Sequence, residues 1–157
     1  MMDLVPGIRN CVRAVVRKDD HLLLLRKEYE DGSVHYVLPG GAQDLGETLV
    51  AALQRECLEE IGTQVSISGL LYLADFFKPR DTTPRSYRHQ VEYYFQCNVP
   101  ETYVAHNGDR PDKHQAAVEW VVLEQLKSIE LFPHELSGLF ISGKLVSHPV
   151  YLGQIGA

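Results

Sequence analysis

Three glutamates, Glu56, Glu59 and Glu60, stand at spacings that gather their carboxylates along one side of a helix, with Arg55 immediately before them. Like charges three or four residues apart on a helix repel, each close pair costing roughly 0.2–0.5 kcal/mol. A surface that served solubility alone would interleave lysine, and a solvated acidic face remains the competing reading of the glutamates by themselves. A hard divalent cation, by contrast, takes several carboxylate oxygens from a rigid element, and Mg²⁺ commonly completes its shell with water and substrate phosphate. Arg55, beside the cluster, is placed to orient one of those carboxylates.

The element that positions these residues can be read from their neighbours. Leu38-Pro39-Gly40-Gly41 neither continues a strand nor opens a helix and reads as a turn. Glu47 to Ile61 has no Gly or Pro and is rich in Leu, Ala, Glu and Gln, so it is expected to be helical. Gly62 supplies the left-handed residue that commonly ends a helix. At about 100° per residue, Val50, Leu53, Cys57, Leu58 and Ile61 form an apolar face with Ala51 at its edge. The glutamates fall on the other side, with Ala52 between them. Glu47 carries negative charge into the first turn, where the helix dipole favours it.

Gly41, five residues, Glu47, seven residues and then Arg55-Glu56-Cys57-Leu58-Glu59-Glu60-Ile61-Gly62-Thr63 resembles the Nudix box, the motif of the Nudix hydrolases. All seven fixed Gly, Glu and Arg positions are present. Cys57 and Thr63 depart from it, standing where a bulky aliphatic residue is usual, and both departures concern packing more than chemistry. The box covers 23 of 157 residues, and flanking features extend the likeness to most of the chain.

Composition sets the frame. The length suits one domain with a substantial core, so residues 1–157 are read as a single Nudix hydrolase domain. A net charge of −6 argues against wrapping a nucleic-acid backbone, which calls for a basic face. A small phosphorylated substrate stays compatible, because a bound metal reverses the local sign. Cys11, Cys57 and Cys97 show no metal-type spacing; Cys57 and Cys97 read as small core residues. The N-terminal MMDLVPGIRN has no apolar signal core and no run is long enough to span a membrane, giving the expectation of a reduced, cytoplasmic protein.

Elsewhere, residues 11–17 and 21–26 read as strands around an Asp19-Asp20 turn, the leucine run of the second suggesting burial on both faces. Residues 28–34 read as a loop and 35–38 as a short strand. Residues 65–77 form a strand broken at Ser68-Gly69, followed by a basic loop, expected to be mobile, from Lys78 to Arg88. In that loop Lys78, Arg80, Arg85 and Arg88 are candidates to screen phosphate. Residues 91–99 and, after a polar loop, 115–122 complete the strands, the latter expected to be the last. Residues 132–146 suggest a C-terminal helix packing on the sheet.

The resemblance implies an α/β/α sandwich, a mixed sheet flanked by helices, with the box as loop–helix–loop. It implies divalent-metal-dependent hydrolysis of the pyrophosphate linkage in a nucleoside diphosphate joined to a moiety X, with Mg²⁺ or Mn²⁺ as cofactor. Glu56 and Glu60 are then the principal ligands, joined by the Gly40 carbonyl. Glu59 is ligand or general base, and Arg55 and Glu47 orient the set. Arg26, Gly41 and Phe77 are the expected substrate contacts, and Phe76 and Tyr36 are further stacking candidates. An acidic residue before Trp120 often serves such proteins; here Asp112 and Glu119 are the alternatives. Pro79, sixteen residues past the box, leans the substrate towards ADP-ribose or an ADP-sugar. Nucleoside-triphosphate pyrophosphohydrolysis, oxidised nucleotides included, and a non-hydrolysing nucleotide sensor are the alternatives. The expected partner is a small nucleotide, with no nucleic acid or membrane, in a chain able to form a homodimer.

Overall fold

The computed structural model describes residues 2–141 and 150–156. In chain order the strands are β1 (Leu4–Lys18), β2 (His21–Glu28), β3 (Val34–Val37), β4 (Gly40–Ala42), β5 (Ser66–Pro79), β6 (Tyr87–Asn98), β7 (Gln115–Val122), β8 (Leu131–Phe132) and β9 (Tyr151–Ile155). Helix α1 (Leu49–Ile61) follows β4, a short 3₁₀ turn (Leu123–Lys127) follows β7, and α2 (Glu135–Ile141) follows β8. The sheet runs β8-β3-β2-β1-β6-β5-β9, with β4 also pairing β1 and β7 pairing β2. It is mixed: β1 lies parallel to β6 from Leu4 to Val16, whereas β2 is antiparallel to β1, β3 and β7.

Strand alternation divides the interior into two cores. Val12, Ala14 and Val16 of β1 and Leu23 and Leu25 of β2 meet Ala52, Leu53, Cys57 and Ile61 of α1. Val15, Leu22 and Leu24 point the other way and pack with Tyr72, Tyr94 and, from α2, Leu136 and Phe140. Successive side chains leave opposite faces of a strand, so a run of leucines fills both. The outcome is the α/β/α sandwich expected from the sequence.

Several details depart from the expectations. Residues 115–122 are not the last strand, since β8 and β9 follow and pair in parallel with β3 and β5. The first strand begins at Leu4 rather than residue 11, because β6 supplies partners to Leu4 and, after a break in register, to Ile8 through Val16. Lys78 and Pro79 belong to β5 and Tyr87 and Arg88 to β6, which shortens the basic loop to 80–86. That loop is closed by Arg80 N–H to the Ser86 carbonyl at 2.9 Å and Ser86 N–H to Thr82 Oγ1 at 2.9 Å. The C-terminal helix ends at Ile141 among the described residues, and positions 142–146 of its expected span lie outside them.

Helix α1 is also rotated relative to the face inferred from its apolar residues. Val50 and Leu58 are 43% and 51% exposed, while Ala52 is wholly buried and Glu60 is only 2% exposed. Gly40 and Gly41, expected as part of a turn, instead belong to β4 and pair with Arg13 and Val12 of β1. With no side chains of their own, they leave space for carboxylates against the sheet, and Gly40 offers a backbone donor to Glu60.

Candidate active site

Helix α1 starts on Thr48, whose Oγ1 accepts the Ala51 N–H at 3.0 Å, and stops on Gly62 at φ 73°. Between these caps Arg55 is the hub. Its Nε donates to Glu47 Oε2 at 2.8 Å and its Nη2 to Glu47 Oε1 at 2.9 Å, a two-pronged grip on one carboxylate. Nη1 reaches Glu56 Oε1 at 3.0 Å and lies 3.6 Å from Glu59 Oε2, and Nη2 also donates to the Ala42 carbonyl at 3.0 Å. The planar fork of arginine permits this simultaneous reach. The Arg55 hydrogen bonds, aided by the Asp44 N–H, hold the Glu47 carboxyl down at about 2.

Glu60 is satisfied differently. Its Oε1 accepts the Gly40 N–H at 2.7 Å, and burial pushes its pKa up to about 8. Burial also raises the Glu56 carboxyl above its ordinary range, against the pull of Arg55. The glycines make these contacts possible. A Cβ on Gly40, at φ +143°, would stand 1.9 Å from the Val12 carbonyl oxygen, and one on Gly41 would stand 2.5 Å from Glu56 Oε1.

Among the described residues no three His, Cys, Asp or Glu side chains are drawn together closely enough to hold an ion as they stand. Glu56 is directed onto Arg55 and Glu60 onto Gly40. In kind, however, the donors fit a hard divalent cation: they are carboxylate oxygens, and two are crowded and desolvated enough to resist ionising. A cation relieves that cost directly.

A cavity of about 330 Å³ is lined by Arg13, Lys27, Lys78, Glu92 and Asp112 together with Phe76, Tyr94, Phe132 and Leu136; none of Gly40, Gly41, Glu47, Arg55, Glu56, Glu59 or Glu60 lines it. Arg13 donates Nε to Glu92 Oε2 at 3.0 Å and Nη2 to Glu92 Oε1 at 3.3 Å. Lys27 Nζ lies 2.6 Å from Asp112 Oδ2. Lys78 forms no ion pair among the described residues; desolvation first, then Arg13 and Lys27, lower its pKa. Arg13 and Asp112 also act on Glu60, which places the cavity and the acidic helix face in one electrostatic neighbourhood.

The remaining candidates fall as follows. Arg26 does not line the cavity; it reaches Glu28 Oε1 at 3.3 Å and Glu119 Oε1 at 3.7 Å. The pairing of β2 with β7 slips between Arg26 and Lys27, and Lys27 enters the cavity instead. Such irregularities re-aim single side chains. Glu119 accepts from Tyr36 OH at 3.3 Å and lies with Arg26, whereas Asp112 lines the cavity. Phe77 packs on His89 with ring centroids 4.6 Å apart, and its neighbour Phe76 faces the cavity.

Sequence reasoning missed Arg13, Lys27, Glu92 and Gln115. A signal for two of them was present: Arg13 and Glu92 each stand between apolar residues, Val12 and Ala14 in one strand and Val91 and Tyr93 in the other, where an unpaired charge is costly.

A family model for the NUDIX domain matches residues 7–139. This chain belongs to the Nudix family. Within it, the Nudix chain is 29% identical over 129 residues to an NAD-capped RNA hydrolase NudC of Photorhabdus laumondii, covering 82% of this chain and 44% of that protein. It is 42% identical over 60 residues to the protein of the same name from Shigella flexneri, covering 38% of this chain and 23% of that protein. The Nudix chain thus spans less than half the length of these relatives. In fold it is similar to a Nudix hydrolase of Nitrosomonas europaea, at TM-score 0.69 and 18% identity over 96% of this chain and 79% of that one. An ADP-ribose pyrophosphatase of Streptococcus suis superposes at TM-score 0.59 and 20% identity, covering 93% and 97% of the two chains. No helix among the described residues is long and apolar enough to cross a membrane.

Proposed function

We propose that this Nudix chain hydrolyses the pyrophosphate linkage of a nucleoside diphosphate joined to a second moiety, ADP-ribose or an ADP-sugar being the leading substrate. The observation that carries the reading is Arg55, which holds Glu47 and Glu56 and lies near Glu59, while Glu60, seated on Gly40, feels the charges of Arg13 and Asp112, which line a cavity whose Lys78 forms no ion pair among the described residues. Glu56, Glu59, Glu60 and the Gly40 carbonyl would hold Mg²⁺ or Mn²⁺. When bound, the ion screens phosphate charge and acidifies the attacking water.

The chain's own residues do the rest. Arg55 and Glu47 fix the carboxylates in orientation, and Glu59 receives the proton of the water. Arg13, Lys27 and Lys78 draw the diphosphate into the cavity, where positioning and charge neutralisation supply most of the catalysis of phosphoryl transfer. Asp112, rather than Glu119, is the acidic residue beyond the box that joins the site. Phe76 offers a stacking surface.

The Photorhabdus relative's name supports a second substrate within the same chemistry, a dinucleotide of the NAD type, free or at an RNA end. Release of the phosphorylated products (AMP and a sugar phosphate from an ADP-sugar, a nucleoside monophosphate and pyrophosphate from a triphosphate), with and without Mg²⁺, separates the readings, using ADP-ribose, ADP-glucose, NADH, NAD-capped RNA, dGTP and 8-oxo-dGTP. Metal-dependent cleavage of ADP-ribose or ADP-glucose well above the rest is the expected result. Preference for a triphosphate would overturn the substrate assignment. No cleavage of any compound by folded protein would favour a nucleotide sensor, recognisable by ligand-induced thermal shifts.

A further inference from the structure

The last turn of a helix leaves carbonyls without helical partners, and water usually meets them. On α1 those carbonyls belong to Glu59, Glu60 and Ile61, the first two being candidate active-site residues. The loop between β6 and β7 covers all three. Arg110 N–H donates to the Glu59 carbonyl at 2.9 Å, Gly108 N–H to that of Glu60 at 2.9 Å, and Tyr103 OH to that of Ile61 at 2.8 Å. The approach is close enough that a Cβ on Gly108 would stand 2.3 Å from the Glu59 carbonyl oxygen.

One side chain joins this cap to the cavity. Gln115 Nε2 donates to the Glu60 carbonyl at 2.9 Å and to Asn107 Oδ1 at 2.9 Å. Its Oε1 accepts the Asp112 N–H at 2.9 Å, and its own N–H donates to the Asp112 carbonyl at 2.9 Å. Gln115 is also the cross-strand partner of Lys27, whose ammonium pairs with the Asp112 carboxylate. Immediately before it, His114 is held at φ 65°, a conformation that non-glycine residues adopt only when their surroundings impose it. The amide therefore links a chain of contacts that runs Glu60, Gln115, Asp112, Lys27.

We propose that Gln115 is a positioning residue that fixes the carboxylate end of α1 relative to the Asp112–Lys27 pair in the cavity. It keeps the metal-holding residues in register with the residues that receive the diphosphate. The proposal rests on the hydrolase reading above. Its geometric basis is the amide, which contacts both the Glu60 carbonyl and the Asp112 N–H.

The test is Gln115→Met, which keeps side-chain length and removes both polar functions. Mn²⁺ affinity is measured by titration calorimetry, alongside kcat and KM on the best substrate and a thermal melt. Loss of a group that orients metal ligands typically costs 10–100-fold in metal affinity or activity. The expected result is weakening of Mn²⁺ binding and a fall in kcat of about that size, with KM changed far less. Gln115→Glu, which can still accept from Asp112 N–H but no longer donates to Glu60, should show the same kcat loss. Mn²⁺ affinity and kcat within twofold of the starting protein, with only the melt lowered, would overturn the proposal and leave Gln115 a stabilising residue. Failure of the unmutated chain to bind Mn²⁺ would overturn the hydrolase reading and this proposal together.

Discussion

Glu60 Oε1 accepts the amide N–H of Gly40 at 2.7 Å, in surroundings that leave the glutamate 2% exposed. A carboxylate buried this deeply resists ionisation, and its pKa rises to about 8 with desolvation as the leading cause. Glu60→Gln keeps the shape and the acceptor while removing the charge. Turnover should fall by roughly a hundredfold or more, with Mn²⁺ affinity falling too, while circular dichroism shows the fold retained. Full activity in the folded variant would refute the assignment.

The same residue sets a pH dependence of stability. Its folded pKa lies above the ordinary glutamate value of 4.5, so the folded chain keeps a proton that the unfolded chain releases. This contribution is present in full below about pH 4.5 and is lost as pH rises through about 8. Metal-free protein should therefore lose more stability between pH 5 and pH 8 than Glu60→Gln. Urea melts of both across that range provide the comparison, and parallel curves would contradict the burial argument.

Arg55 and Glu47 make the second expectation. Arg55→Lys exchanges a fork for a point charge, so the paired contact on Glu47 is lost together with the reach to Glu56. The Glu47 carboxyl, held at about 2, should titrate nearer its ordinary value of 4.5 when followed by carboxyl NMR. Because the folded pKa is depressed, the stabilisation from this pair is present above 4.5 and disappears as pH falls towards 2. Activity should drop by about 10–100-fold through disordered carboxylates.

Glu92 is 1% exposed and opposes Arg13 through two hydrogen bonds, with Gln90 Nε2 adding a third at 3.3 Å. Removing one member of a buried pair leaves an uncompensated charge, at about 3–5 kcal/mol. Glu92→Ala should destabilise by that amount in urea melts, and Arg13→Met with Glu92→Met should recover much of it. A single variant as stable as the parent would show that water reaches Arg13 freely.

Lys78 lines the cavity and, unlike Arg13 and Lys27, forms no ion pair among the described residues. Lys78→Gln should raise KM for a nucleoside diphosphate substrate by about tenfold or more, one charge-assisted hydrogen bond being worth roughly 1.5–3 kcal/mol, with kcat little changed. An unchanged KM would place the phosphates elsewhere.

The sequence alone determined the helix of the box, its stop at Gly62, the four acids and the arginine among them, and the doubly buried leucine strand. The helix with its three glutamates and the strand follow from spacing within each element, because helical and strand periods are local properties of the backbone, whereas Glu47 precedes α1 and joins the set through Arg55. Tertiary structure decided which side of α1 faces inward, since burial of Glu60 depends on the Gly40 amide twenty residues away. It also chose Lys27 over Arg26 and Phe76 over Phe77, because a single slip in pairing between Arg26 and Lys27, or the parity of a strand, selects which neighbour meets the cavity. Arg13 and Glu92, seventy-nine residues apart, become partners only when β1 and β6 lie side by side. Gln115 reads as an ordinary strand residue until the loop before it folds back over the end of α1. Contacts of that kind depend on the whole chain's path, which no local pattern encodes.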